Sequence, residues 1–291
     1  MVSKKLKKWL KVAGQLIIAA LAIRFVLEDI DVQELKLTLL SAHLGWLFLA
    51  LIAFNASKIL SAIRLNYFFR ALGLFLSEKF NLKLYYLGML YNQFLPGGIG
   101  GDGYKVYLLN KWHKTSVKLL VAATLLDRVS GVVALGFLAF GLGLMGTAKE
   151  ALTPYGLVLW VGLVMAYPVY YLLVHLLFKT FKQVNHITNL QALGVQVLQL
   201  LSAFLILQSL GVESSFVDYL TLFLVTSVAA SLPISLPGGI GIRELVMVNG
   251  AIYLAIDKTD ATALATLFFL ISLISAIAGL FFLRLERENK E

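Results

Sequence analysis

Seven ionisable residues stand where the surrounding sequence is apolar enough to lie in lipid: Arg24, Lys58, Asp102, Asp127, Arg128, Arg243 and Glu244. A charge at the centre of a membrane helix costs on the order of 2.5–3.5 kcal/mol on insertion scales, so such residues pair or face a polar cavity. Asp127-Arg128 and Arg243-Glu244 are sequence neighbours. Adjacent helical positions point about 100° apart, so neither pair closes on itself. Each member needs a partner on another element, and the crossed pairings Asp102 with Arg243 and Glu244 with Arg128 would supply one. The chemistry on offer is anion binding. Arginines take a phosphate through paired N–H groups, and the carboxylates orient them or exchange with the ligand. Arg24, Lys58 and, most easily, Arg64 are long enough to snorkel to an interface instead.

A duplicated hexapeptide positions these charges. Leu95-Pro96-Gly97-Gly98-Ile99-Gly100 recurs as Leu236-Pro237-Gly238-Gly239-Ile240-Gly241, and each copy is followed within three residues by Asp102 or Glu244. Pro and Gly interrupt helices, and non-helical backbone at bilayer depth needs shielding by protein or water. The expected breaks are Pro96, Gly97, Gly98, Gly100 and Gly101 in the first copy, and Pro237, Gly238, Gly239 and Gly241 in the second. Two plain helix ends joined by Gly-rich turns would leave the same pattern, with Asp102 and Glu244 as helix caps. Paired breaks in apolar sequence, with helix N-termini that favour anions, also read as a substrate site of the transporter kind.

The chain has 291 residues, 59% hydrophobic and 14% charged. A soluble domain carries about 25% charged residues. The expected fold is an all-α polytopic membrane protein, a single integral membrane domain over 1–291. About six full spans cover 9–27, 43–69, 119–145, 152–178, 190–210 and 261–283. The apolar stretches 82–95 and 216–232 are too short to cross comfortably. Each is followed by a break and a short helix, at 103–112 and 243–256. They read as two re-entrant helical hairpins, about 82–112 and 216–256. With both termini inside, most of the 25 Lys and Arg fall on the inner side, and Lys36, Lys149 and Lys258 fall outside. An eight-span reading would place Lys105, Lys111, Lys114 and Lys118 outside. The charge pattern therefore favours hairpins that enter from opposite faces, as an inverted repeat would. The expected location is the plasma (inner) membrane with N- and C-termini cytoplasmic. The N-terminus lacks a small-residue cleavage pattern, which predicts a retained first helix.

Other chemistry finds little support. The chain has no cysteine, which excludes disulfides and thiolate chemistry. His43, His113, His175 and His186 show no metal-ligand spacing, and no nucleotide loop or zinc-protease motif occurs. No cofactor or metal is expected. The net charge of +9 is explained by membrane topology and does not call for nucleic acid. Tyr85, Tyr86, Tyr91, Tyr167, Tyr170 and Tyr171 read as interface or packing aromatics.

Three motifs carry a family resemblance. They are Leu-Pro-Gly-Gly-Ile-Gly-Gly-Asp at 95–102, Leu-Asp-Arg-Val-Ser-Gly at 126–131, and Leu-Pro-Gly-Gly-Ile-Gly-Ile-Arg-Glu at 236–244. In this order they resemble the transmembrane-region family of lysylphosphatidylglycerol synthases, whose members are also described as flippase-like, and Arg64 fits the pattern. In bifunctional members a soluble aminoacyltransferase domain follows. The sequence stops at Glu291, so the synthase reaction is not expected. The resemblance implies a membrane lipid flippase or transporter, not an enzyme. It would move an anionic phospholipid or lipid-linked headgroup, with Arg64, Gly101, Asp102, Asp127, Arg128, Arg243 and Glu244 as site residues. A membrane-embedded enzyme, or an accessory subunit acting on lipid-linked substrates, is the alternative. Homo-oligomerisation or a membrane enzyme partner stays open.

Overall fold

The computed structural model describes residues 32–94, 99–146, 153–231 and 242–288. The expected first span, with Arg24, lies outside these residues, as do Pro96, Gly97, Gly98, Pro237, Gly238, Gly239 and Gly241. Every regular element described is helical: α1 (Val32–Ser41), α2 (Leu44–Arg70), α3 (Glu78–Phe94), α4 (Gly100–His113), α5 (Val117–Gly143), α6 (Gly156–Leu177), α7 (Asn185–Ser209), α8 (Phe216–Ser231), α9 (Ile242–Tyr253) and α10 (Lys258–Ile277). Short 3₁₀ turns at Thr153–Tyr155, Lys179–Phe181 and Ala278–Phe282 extend α6 and α10 or link α6 to α7.

Five of these elements are long and apolar enough to cross a membrane: Leu44–Arg70, Val117–Gly143, Thr153–Leu177, Asn185–Ser209 and Lys258–Phe282. Lipid is as apolar as a protein core, so these helices have no need of an amphipathic pattern. α6 shows this most plainly, with Leu157, Trp160, Val164, Leu172 and Leu176 all exposed. Pro168 lies inside α6. α1 was not expected, and α7 begins earlier than hydropathy predicts. In its polar first turns Asn185, Thr188 and Asn189 are buried, and the segment is helical.

The two short apolar helices each fold back onto the helix after their break, α3 onto α4 and α8 onto α9. In the first hairpin Tyr91 stacks at a tilt on Tyr104, ring centroids 4.5 Å apart, and Lys105 Nζ lies 4.8 Å from the Tyr85 ring centre. Pairs that run in opposite sequence directions mark an antiparallel hairpin. Its tight crossing depends on Gly101. A Cβ there would lie 1.8 Å from the Gly88 carbonyl oxygen, a backbone atom with no freedom to retreat. Gly101→Ala should therefore pry the limbs apart, at about the 1–3 kcal/mol of an overpacked core or more. A melting temperature in detergent equal to wild type would show that the hairpin accommodates the methyl. Gly103→Ala, where a Cβ meets nothing within 4 Å, is the matched control.

Two apolar clusters hold the helices. One gathers Phe54, Phe223, Met247, Leu264 and Phe268 from α2, α8, α9 and α10. The other gathers Phe68, Leu84, Leu109, Leu120 and Phe181 from α2, α3, α4, α5 and the turn before α7. α2 packs most extensively on α7. Polar side chains pin α3 from both sides. Tyr86 Oη donates to Asn55 Oδ1 (2.8 Å), Asn55 Nδ2 donates to Ser275 Oγ (2.9 Å), and Gln93 Nε2 donates to Ser272 Oγ (3.0 Å). Asn81 Nδ2 donates to the Ala62 carbonyl at 2.5 Å.

Candidate functional site

Between the two apolar clusters lies a polar cavity of about 280 Å³. α2 contributes Lys58, Ser61 and Arg64; α3 contributes Tyr85 and Asn92; α4 contributes Asp102 and Lys105. α5 adds Asp127, Arg128 and Gly131, α7 adds Gln196 and Gln199, and α8 closes it with Ser231. Four cationic and two acidic side chains line it, a formal charge of +2. Such a surplus of positive charge attracts anions.

The chain brings each charge here through a local choice. Asp127 and Arg128 diverge on α5, as adjacent helical residues must. Asp127 accepts from Arg64 Nε at 2.7 Å, and both are buried, 8% and 5% exposed. Arg128 donates its Nε–H to Asp102 on α4. Asp102 also takes Lys105 Nζ at 2.9 Å, one turn on along the same helix. Lys105 is only 4% exposed, and it reaches Asp102 by running over Gly88, where a Cβ would lie 2.2 Å from its Cε. Asp102 is in the first turn of α4, but the cap position is Ile99, whose side chain makes no capping hydrogen bond. The carboxylate is spent on cations instead. The nearby Gly101 N–H is satisfied by Asn92 Oδ1 at 2.8 Å.

Of the residues singled out from sequence, Arg64, Asp102, Asp127 and Arg128 meet in this cavity, with Gly101 packed at its edge. Gly100 is the first residue of α4. Arg243 and Glu244 do not line the cavity. Arg243 opens α9 with its guanidinium 5.8 Å from the Phe268 ring centre and its buried Nε without a hydrogen-bond partner. The crossed pairing of Asp102 with Arg243 is thus corrected: α4 packs on α5, which hands Asp102 to Arg128.

Sequence reading missed the weight of two lysines. Lys105 counts as a loop-side charge by topology, yet it is buried in the site; the Asp102-x-x-Lys105 spacing was the signal. Lys58, read as a snorkelling residue, points its Nζ to 4.3 Å from the Phe54 ring centre and lines the cavity. Asn92, Gln196 and Gln199 carry no charge and give no signal in an apolar run. Among the described residues no cluster of His, Cys, Asp or Glu could hold a metal ion.

No curated protein and no solved structure proved similar to the chain. A family model does match, described as the lysylphosphatidylglycerol synthase TM region, and it covers residues 12–279. That span includes every helix of the cavity, and the chain therefore belongs to this family of membrane, lipid-related proteins.

Proposed function

We propose that the protein is a lipid translocator, not an enzyme, which passes an anionic phospholipid or lipid-linked headgroup through this cavity while the acyl chains stay in the bilayer. The observation that carries the reading is the cavity's surplus of positive charge inside a bundle whose outer faces are apolar. Arg64, Asp127, Asp102 and Arg128 act on the headgroup, and Arg243 and Glu244 join from the second hairpin. The two hairpins are re-entrant elements of an inverted repeat, and both termini face the cytoplasm of a plasma membrane. Their antiparallel packing and the basic inner loops support this.

Topology is open to a direct test because the chain has no cysteine of its own. A cysteine placed at Lys111, exposed in the last turn of α4, should react with an impermeant maleimide only from the side of the N-terminus. Reaction only from the opposite side would remove the re-entrant arrangement. Translocation is tested in proteoliposomes carrying fluorescent phospholipids, with dithionite quenching of the outer leaflet. Protein-dependent loss of protection should exceed that of empty vesicles for an anionic lipid. No gain for any headgroup would end the proposal.

A further inference from the structure

The cations around the cavity are held in two different ways. Arg64, Lys105 and Arg128 are engaged by Asp127 and Asp102, although Arg64 Nη1 stays buried with no hydrogen-bond partner. Lys58 lines the same cavity but has no carboxylate partner among the described residues. Its Nζ lies 4.3 Å from the centre of the Phe54 ring, one turn back along α2. Side chains on a helix lean toward its N-terminus, so a lysine meets the residue four places earlier. Phe54 is 2% exposed and meets Phe268 of α10 edge to face, ring centroids 5.3 Å apart at 81°. Phe268 carries the Arg243 guanidinium of α9 at 5.8 Å and meets Phe223 of α8 at 4.6 Å. Both limbs of the second hairpin rest on this one ring, which touches the ring under Lys58. Arg243 Nε is buried with no hydrogen-bond partner.

A carboxylate and an aromatic ring hold a cation with different consequences. A carboxylate cancels the charge, and an incoming anion must displace it. An aromatic face attracts a cation through its quadrupole, within about 6 Å of the ring centre, and leaves the charge whole. We infer that Phe54 and Phe268 are positioning residues of the translocator: they hold Lys58 and Arg243 with donors to spare for an anion, and their mutual contact ties the arginine of the second hairpin to the cavity wall. The inference rests on the translocation reading and names residues that act through Lys58 and Arg243 without touching the lipid. What counts is the face of each ring and not only its bulk.

The test uses purified full-length protein in which Phe54 or Phe268 is replaced by trifluorinated phenylalanine, introduced at a reassigned stop codon. Fluorine nearly keeps the shape of the ring and drains charge from its face. The probe is fluorescent phosphatidic acid, whose headgroup is a phosphate alone. Fluorination at Phe54 should slow its transport roughly tenfold. The loss should be smaller at Phe268, where the cation lies farther from the ring. In detergent, fluorination at Phe54 should lower the melting temperature, but not in a Lys58→Met background. The same holds for Phe268 with Arg243→Met. A fall that persists in these backgrounds, or no fall at all, would reduce the rings to packing and overturn the inference. A fall that obeys both backgrounds while transport stays at wild type would also overturn it and leave translocation standing. If wild type moves no lipid, but phosphatidic acid raises its melting temperature and the rise shrinks on fluorination, translocation falls and the positioning role stands. Wild-type protein that neither moves phosphatidic acid nor is stabilised by it would overturn both.

Discussion

Asp102→Ala will destabilise this protein more than the loss of any other charge in the cavity. One carboxylate serves both Lys105 and Arg128, and Lys105 is buried. Removing one partner of a buried pair costs about 3–5 kcal/mol, because the remaining charge is stranded. Here Lys105 is stranded, and Arg128 loses its bond to the same carboxylate at once. Arg128→Ala is milder, since Asp102 keeps Lys105 and Arg128 is itself a third exposed. The ranking is read from melting temperatures in detergent and from the monodisperse fraction on size exclusion. Asp102→Ala should fall well below Arg128→Ala, and adding Lys105→Met to Asp102→Ala should recover part of the loss. Equal stability of the two single variants would mean that Lys105 escapes to water and that the cluster is looser than its geometry. Arg128→Lys should recover only part of Arg128→Ala transport, because an ammonium lacks the planar fork.

The second large effect separates architecture from transport. Arg64 and Asp127 form the most enclosed ion pair of the cavity. Arg64→Ala or Asp127→Ala alone should cost about 3–5 kcal/mol for the reason just given. Replacing both, as Arg64→Met with Asp127→Leu, removes both desolvated charges together and is often neutral or stabilising. The double variant should therefore fold as well as wild type. It should nonetheless transport little anionic lipid, because the cavity loses the guanidinium that offers Nη1. Wild-type transport by a well-folded double variant would reduce the pair to scaffolding and take Arg64 out of the site.

How much of this could be read from sequence depends on what the lipid demands. A span must be apolar throughout, so the spans corresponding to α2, α5, α6 and α10 are legible to within a few residues. Asp127 and Arg128 stand out for the same reason, and their divergence on a helix predicts partners on two other elements, which Arg64 and Asp102 are. Where protein rather than lipid is the neighbour, the signal fades. The Asn185 to Asn189 turn of α7 looks like a loop because it is polar, but Asn185, Thr188 and Asn189 in it are buried. Lys105 looks like a topological marker because composition cannot say which face of α4 is enclosed. Gly131 and Gln196 are ordinary residues whose meaning comes only from what approaches them.

The side-chain bonds of α3 give the first hairpin a stator and a lever. The first limb is tied to α2 through Asn55 and Ala62 and to α10 through Ser272. At Gly279, where a Cβ would lie 2.5 Å from the Tyr86 carbonyl oxygen, its backbone also sits hard against the end of the α10 region. The second limb is joined to the bundle beyond α3 through Asp102 and Arg128 and through apolar contacts with α5. A ligand anion that competes for Arg128 therefore loosens one limb and leaves the other fixed. In amide exchange, that asymmetry appears as faster opening of 100–113 than of 81–93 when an anionic lipid is present.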